Sequence, residues 1–232
     1  MNAAIPGVEV IRLGAGVRRV RVEIEAGEPP APGEEVERAW REMLRANPRL
    51  HNGPVLSVMS IDAATGVIRA RRDTYQRLVV QPRVMTGVRQ LSVTGVVERD
   101  GSVLLGRRGG ETRMYPGMWE LGPAGGVEPP GPGVRAFGHG ALLDELRRES
   151  REEAGLEIGG EGAPLAVVFD GLAQSYDVVL RVEALSGPAR GEAGWEYQEL
   201  RWVAWGELRQ FERSHSGEII GPTRALIHAL WS

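Results

Sequence analysis

The residues best placed to do chemistry are three glutamates within five positions. They stand in the run Arg148-Glu149-Ser150-Arg151-Glu152-Glu153-Ala154-Gly155-Leu156. On a helix advancing about 100° per residue, the spacings i, i+3 and i+4 carry Glu149, Glu152 and Glu153 to one face. Three like charges so placed repel by roughly 0.2–0.5 kcal/mol per pair even on an exposed helix. A hard divalent cation would offset that repulsion. Mg2+ and Mn2+ both take carboxylate oxygens, and Mg2+ keeps waters and bridges to phosphates. Arg148 would orient one carboxylate from behind. The plainer reading is a solvated Glu/Arg face, which most such helices carry. The preceding Pro123-Ala124-Gly125-Gly126-Val127-Glu128 favours a site, because glycines let backbone carbonyls approach a ligand closely.

Elements must position these groups. Residues 142–154 read as a helix with apolar Leu142, Leu143, Leu146 and Ala154, ended by Gly155 at a C′-like position. Upstream, strands at 91–98 and 102–107 flank Asp100-Gly101, a strong hairpin signal. Downstream, strands are expected at 165–170, 177–185 and 197–205, with short helices near 206–212 and 222–231. The first part of the chain alternates in strand fashion through Val8, Val10 and Ile11, then Val17, Val20, Val22 and Ile24. A Pro/Gly breaker follows at 28–33. Residues 34–46 read as a helix, with Val36, Trp40 and Leu44 every four residues, stopped by Asn47-Pro48. Strands at 54–61 and 66–71 complete a small α/β unit. The expectation is an α/β (α+β) chain with a small N-terminal α/β domain over 1–86 and a larger mixed-sheet domain over 87–232.

Composition removes whole classes of function. The 232 residues contain no Cys, which excludes disulfides, thiolate metal sites and thiol nucleophiles. They contain no Lys either, so all 28 basic residues are Arg, and a P-loop or Schiff-base lysine is excluded. Any phosphate clamp must be built from Arg, whose planar fork suits anionic oxygens. A formal charge of −3 supplies no bulk basic field for nucleic acid. No apolar run approaches a membrane span, and the first twenty residues lack a secretory core. A cytoplasmic protein with neither a nucleic-acid nor a membrane partner is expected.

The glutamate run resembles the Nudix box, whose second half is Arg-Glu-U-x-Glu-Glu-x-Gly-U with U a bulky aliphatic. Arg148, Glu149, Glu152, Glu153, Gly155 and Leu156 fill the fixed positions, and Ser150 stands where an aliphatic residue is usual. The first half departs: about a dozen residues around 129–139 separate the glycine loop from the helix, and the upstream Glu is missing. Two other stretches are similar to Nudix proteins acting on nucleotide sugars or related diphosphates. One joins Gly106-Arg107-Arg108 to Tyr115-Pro116-Gly117-Met118-Trp119-Glu120. The other runs from Trp195 through Val203. The segment Asn47-Pro48-Arg49-Leu50-His51-Asn52-Gly53-Pro54 is similar to the extra N-terminal domain of a UDP-glucose/UDP-galactose pyrophosphatase group.

The resemblance implies a Nudix-type α/β/α sandwich that hydrolyses the pyrophosphate of a nucleoside diphosphate linked to another moiety. A UDP-glucose-like nucleotide sugar is the leading candidate, giving a nucleoside monophosphate and a sugar phosphate. The implied cofactor is Mg2+, with Mn2+ an alternative. Glu149, Glu152, Glu153 and a carbonyl near Gly125 or Gly126 would hold it. Arg148, Glu196 and Glu199 would complete the catalytic set. Arg107, Arg108 and Arg113 would hold the distal phosphate, and Tyr115 and Trp119 would stack on base or sugar. A homodimer is compatible with this reading. The competing reading is a Nudix-fold module that binds a nucleotide or a protein with little or no catalysis, motivated by Ser150, the insertion and the missing Glu. An isopentenyl diphosphate isomerase relative is set aside, since those enzymes use a Cys.

Overall fold

A computed structural model describes residues 5–187 and 195–231. Its first strands are β1 (Val8–Arg12) and β2 (Arg21–Ile24), followed by helix α1 (Glu34–Ala46). Helix α1 spans the expected residues and buries Val36, Ala39 and Trp40. Strands β3 (Pro54–Asp62) and β4 (Val67–Thr74) form an antiparallel pair leading into the short helix α2 (Tyr75–Val79). Strands β5 (Gln90–Arg99) and β6 (Ser102–Arg108) meet at Asp100 and Gly101, both at positive φ (49° and 74°), as a primed two-residue turn requires. Short strands β7 (Trp119–Leu121), β8 (Ala124–Gly126) and β9 (Ala136–Gly138) precede helix α3 (His139–Ala154). Strands β10 (Glu157–Asp170), β11 (Ser175–Ser186) and β12 (Tyr197–Ala204), then helices α4 (Leu208–Ser214) and α5 (Gly221–Leu230), complete the chain.

The twelve strands among the described residues share one mixed sheet, with the main order β1-β10-β11-β5-β3-β4-β2-β9, β6 and β8 paired with β5, and β7 and β12 paired with β6. The stretches expected as separate domains are therefore joined by hydrogen bonds in three places. Strand β1 pairs with β10, β3 with β5, and β2 with β9. Their apolar side chains also share one cluster: Val20, Val22, Leu56 and Ile68 from the N-terminal stretch pack with Leu142, Leu146 and Leu180. On the opposite face, Val96, Val168 and Val179 pack with Leu226 and Ile227 of α5.

Strand β9 gives the interruption of the glutamate motif a purpose. It lies within the insertion, pairs antiparallel with β2 (Arg21 opposite Gly138), and delivers the chain into α3. At that junction the Val20 amide donates to His139 Nδ1 at 3.4 Å, and His139 Nε2 lies 2.6 Å from the Gly162 carbonyl. With Nδ1 accepting, Nε2 carries the proton and donates, so this buried histidine is a structural tie. Gly155 closes α3 in the left-handed conformation (φ 62°), with its amide donating to the Arg151 carbonyl and that of Leu156 to the Ser150 carbonyl. Ser150 is fully buried, and its hydroxyl donates to the Leu146 carbonyl at 2.7 Å, so the polar group is satisfied one turn back.

Candidate active site

Helix α3 packs against β8, and that contact decides what the glutamates do. Glu149 and Glu153 turn inward and are buried to 8% and 7% exposure, whereas the Glu152 side chain remains 59% exposed. Glu153 Oε2 accepts the Ala124 amide at 3.2 Å. Glu149 lies so close to the next residue that a Cβ on Gly125 would fall 2.1 Å from its Oε1. Only glycine admits that carboxylate. Arg148 ties the group from outside: it donates to Glu149 Oε1 and Glu152 Oε2 at 2.6 Å each, and also to Glu145.

Two more acids face this pair. Glu196, immediately before β12, shares a hydrogen bond with Glu153. Glu120 on β7 is buried, and its Oε1 accepts from Arg108 Nη1 at 2.6 Å and from the Tyr197 hydroxyl at 2.8 Å. Burial is the main force on all these carboxyls. It pushes Glu149 up to about 7, against the pull of Arg148 and with repulsion from Glu145 and Glu196. It raises Glu153 further, aided by Glu196 and Glu120, and it raises Glu120 despite Arg108. Crowded, half-desolvated carboxylates that hold protons they would otherwise lose are a donor set suited to a hard cation. The fit is chemical rather than a finished cage, since among the described residues no three acidic or histidine side chains are grouped as a ready metal site.

A cleft opens beside these groups. Its floor follows the period of two in β-strands. Gln90, Ser92 and Thr94 of β5 and Ser175, Asp177 and Val179 of β11 line it, in a parallel pair that sets Ser92 opposite Asp177. Gly125 and Gly126 bring it to the glutamates. The loop between β6 and β7 forms one wall. Tyr115, itself at positive φ (52°), donates its hydroxyl to Asp170 at 2.7 Å, and Arg113 lines the cleft with the ring of Tyr75 6.0 Å from its guanidinium carbon.

Several expected site residues are elsewhere. Trp119 is 2% exposed and packs edge-on against Phe211, so it offers no face to a ligand. Arg107 donates to the Gly117 carbonyl and to Glu218, stapling the loop rather than entering the cleft. Arg108 lines the cleft, but its guanidinium is engaged by Glu120 and the Met114 carbonyl. Glu199 pairs with Arg201 at 2.8 Å on the strand surface. Glu152 faces solvent beside Arg148, outside the buried pair. The structure brings together Glu149, Glu153, Glu196, Gly125, Gly126, Arg113 and Tyr115, and adds Glu120, Asp170, Asp177 and Tyr197. The added residues carried a signal in the sequence. Asp177 stands directly before the apolar run Val178-Val179-Leu180, all fully buried, and Glu120 sits between buried Trp119 and Leu121.

A family model described as NUDIX domain matches residues 88–220. The chain is 28% identical over 130 residues to the nucleoside triphosphatase NudI of Escherichia fergusonii, covering 52% of this chain and 85% of that protein. Among solved structures, the MutT protein from Methanosarcina mazei Go1 aligns at 23% identity and a TM-score of 0.43, over 58% of this chain and 87% of its own. The MutT NUDIX hydrolase from Burkholderia pseudomallei aligns at 23% identity and a TM-score of 0.41, over 60% and 96%.

Proposed function

Because the chain belongs to the Nudix family, we propose that its cleft holds a nucleoside diphosphate joined to a second moiety and hydrolyses the pyrophosphate between them with a divalent cation, Mg2+ or Mn2+. A nucleotide sugar is the substrate class this reading favours, UDP-glucose being the member that the sequence resemblance suggests, leaving a nucleoside monophosphate and a sugar phosphate. The observation that carries it is the buried Glu149/Glu153 pair pressed against Ala124 and Gly125, the latter also lining a cleft with both polar and apolar walls.

The cation, when bound, would neutralise pyrophosphate charge and lower the pKa of an attacking water. Glu149 and Glu153, with a carbonyl at Gly125 or Gly126, are the residues that would hold it. Glu196, hydrogen-bonded to Glu153, is placed to take a proton from water. Arg148 fixes the rotamer of Glu149. Glu120 and Arg108 form a buried pair behind the acids, holding the Tyr197 hydroxyl and keeping bulk water from that side. Arg113, the cleft arginine with no carboxylate partner among the described residues, is the group for the distal phosphate.

The test is release of nucleoside monophosphate from a panel of nucleotide sugars in Mg2+ and in Mn2+. The named activity of the E. fergusonii relative puts nucleoside triphosphates in the same panel. Glu149→Gln and Glu153→Gln are expected to lose at least about 100-fold in kcat. Wild-type turnover in both variants would refute the assignment.

A further inference from the structure

The floor of the cleft on β5 and β11 lies outside the residues given a metal or phosphate role above. Asp177 stands at its centre. Thr94 donates to one of its oxygens (Oδ1, 3.1 Å) and Ser175 to the other (Oδ2, 2.8 Å). Each hydroxyl fixes one oxygen, and a carboxylate oxygen accepts twice, so each keeps an acceptor position for a ligand. Asp170, the other cleft aspartate, is different. The Tyr115 hydroxyl and the Leu172 and Ala173 amides already occupy it, and it serves as wall. Val168, Val179, Ile220 and Leu226 give the same cleft an apolar side suited to a flat ring.

A fixed carboxylate repels phosphate and carbonyl oxygens and accepts N–H donors. Guanine alone among the common bases presents two adjacent donors, N1–H and the N2 amino group, matching two oxygens side by side. Uracil presents one N–H between two carbonyls. Adenine and cytosine each set an amino group beside an acceptor nitrogen. The geometry points to Asp177 as the residue that reads the base, selecting a guanosine diphosphate derivative over the uridine one. This rests on the reading of the cleft as a nucleotide site, and it replaces uridine by guanosine in that reading.

Calorimetric titration of the metal-free protein with GDP and with UDP tests it without turnover, because both ligands carry the same diphosphate. Wild type is expected to bind GDP at least about 10-fold tighter, the scale of hydrogen bonds to a charged group. Asp177→Asn, which turns one acceptor into a donor, is expected to cut the GDP/UDP affinity ratio by at least about 10-fold. The kcat/KM ratio for GDP-glucose over UDP-glucose should fall in parallel. UDP bound as tightly as GDP by wild type, no binding of either, or an unchanged ratio in Asp177→Asn would overturn the inference. The wild-type ratio decides even if the variant does not fold. A clear GDP preference with no hydrolysis of any substrate would instead sink the enzymatic reading and leave Asp177's role standing.

Discussion

At the scale of single residues, burial sorts three glutamates that sequence spacing made equivalent. Glu149 and Glu153 lose most of their contact with water, while Glu152 keeps it and pairs with Arg148. Substitutions should separate them: Glu152→Gln is expected to stay within about 3-fold of wild-type turnover, the behaviour of an exposed ion pair worth little, where the buried two are disabled. Gly125→Ala makes a sharper test of geometry, since its new Cβ would overlap Glu149 Oε1 at 2.1 Å. Glu149 must leave its position, so activity should fall by at least about 10-fold while the melting temperature moves by only a few degrees. Thermal melts and Mg2+-dependent kinetics on the same preparation check both halves of that expectation.

At the scale of elements, helices with strong periodicity were legible and glycine-broken segments were not. Helix α1 ran from 34 to 46 as its four-residue spacing required. Helix α3 was recognised from 142, but it begins at His139 because Gly138 and Gly140 hide the first turn from any pattern of apolar residues. Strand β10 begins at Glu157, eight residues before its apolar run, through a glycine-rich stretch where pairing with β11 slips register. Strand β9 is three residues long, too short for any alternation to show. The cleft residues depend on pairings between strands distant in sequence, so the glutamate helix was readable, whereas Asp177 showed only as an acid beside an apolar run and its place on the floor did not show.

The floor also predicts a pH dependence. Burial raises the Asp177 carboxyl from 3.8 to about 6, against the hydroxyls of Ser175 and Thr94 that favour its ionised form. A folded-state value above the unfolded one means that ionisation disfavours the fold. The cost is absent below about pH 3.8, grows between there and about pH 6, and is full above it. Asp177→Asn should therefore stabilise the protein by about 3 kcal/mol at pH 8 and leave it nearly unchanged near pH 4. Denaturant melts at the two pH values measure this, and an equal effect at both would contradict it.

At the scale of the whole molecule, the N-terminal stretch and the glutamate-bearing stretch share a sheet and a core. Removing residues 1–86 would strip β3 from β5, β2 from β9 and β1 from β10, and take Val22 and Ile68 out of the core cluster they share with Leu142 and Leu146. The remaining fragment is expected to be insoluble or molten, and the full chain to unfold in one cooperative transition. Two calorimetric transitions, or a fragment 87–232 with native-like dispersion in its spectrum, would show separable domains. Among the described residues no helix is long and apolar enough to cross a membrane.

The claim on which the enzymatic account turns is that Glu149 and Glu153, held against Ala124 and Gly125, bind a divalent cation together. Titration of the protein with Mn2+, followed by electron paramagnetic resonance of the free ion, measures that directly. The account predicts saturable binding that weakens at least about 10-fold in Glu149→Gln and in Glu153→Gln, with Glu152→Gln close to wild type. Binding of equal strength in wild type and both buried-site variants, or weakened only by Glu152→Gln, would contradict it.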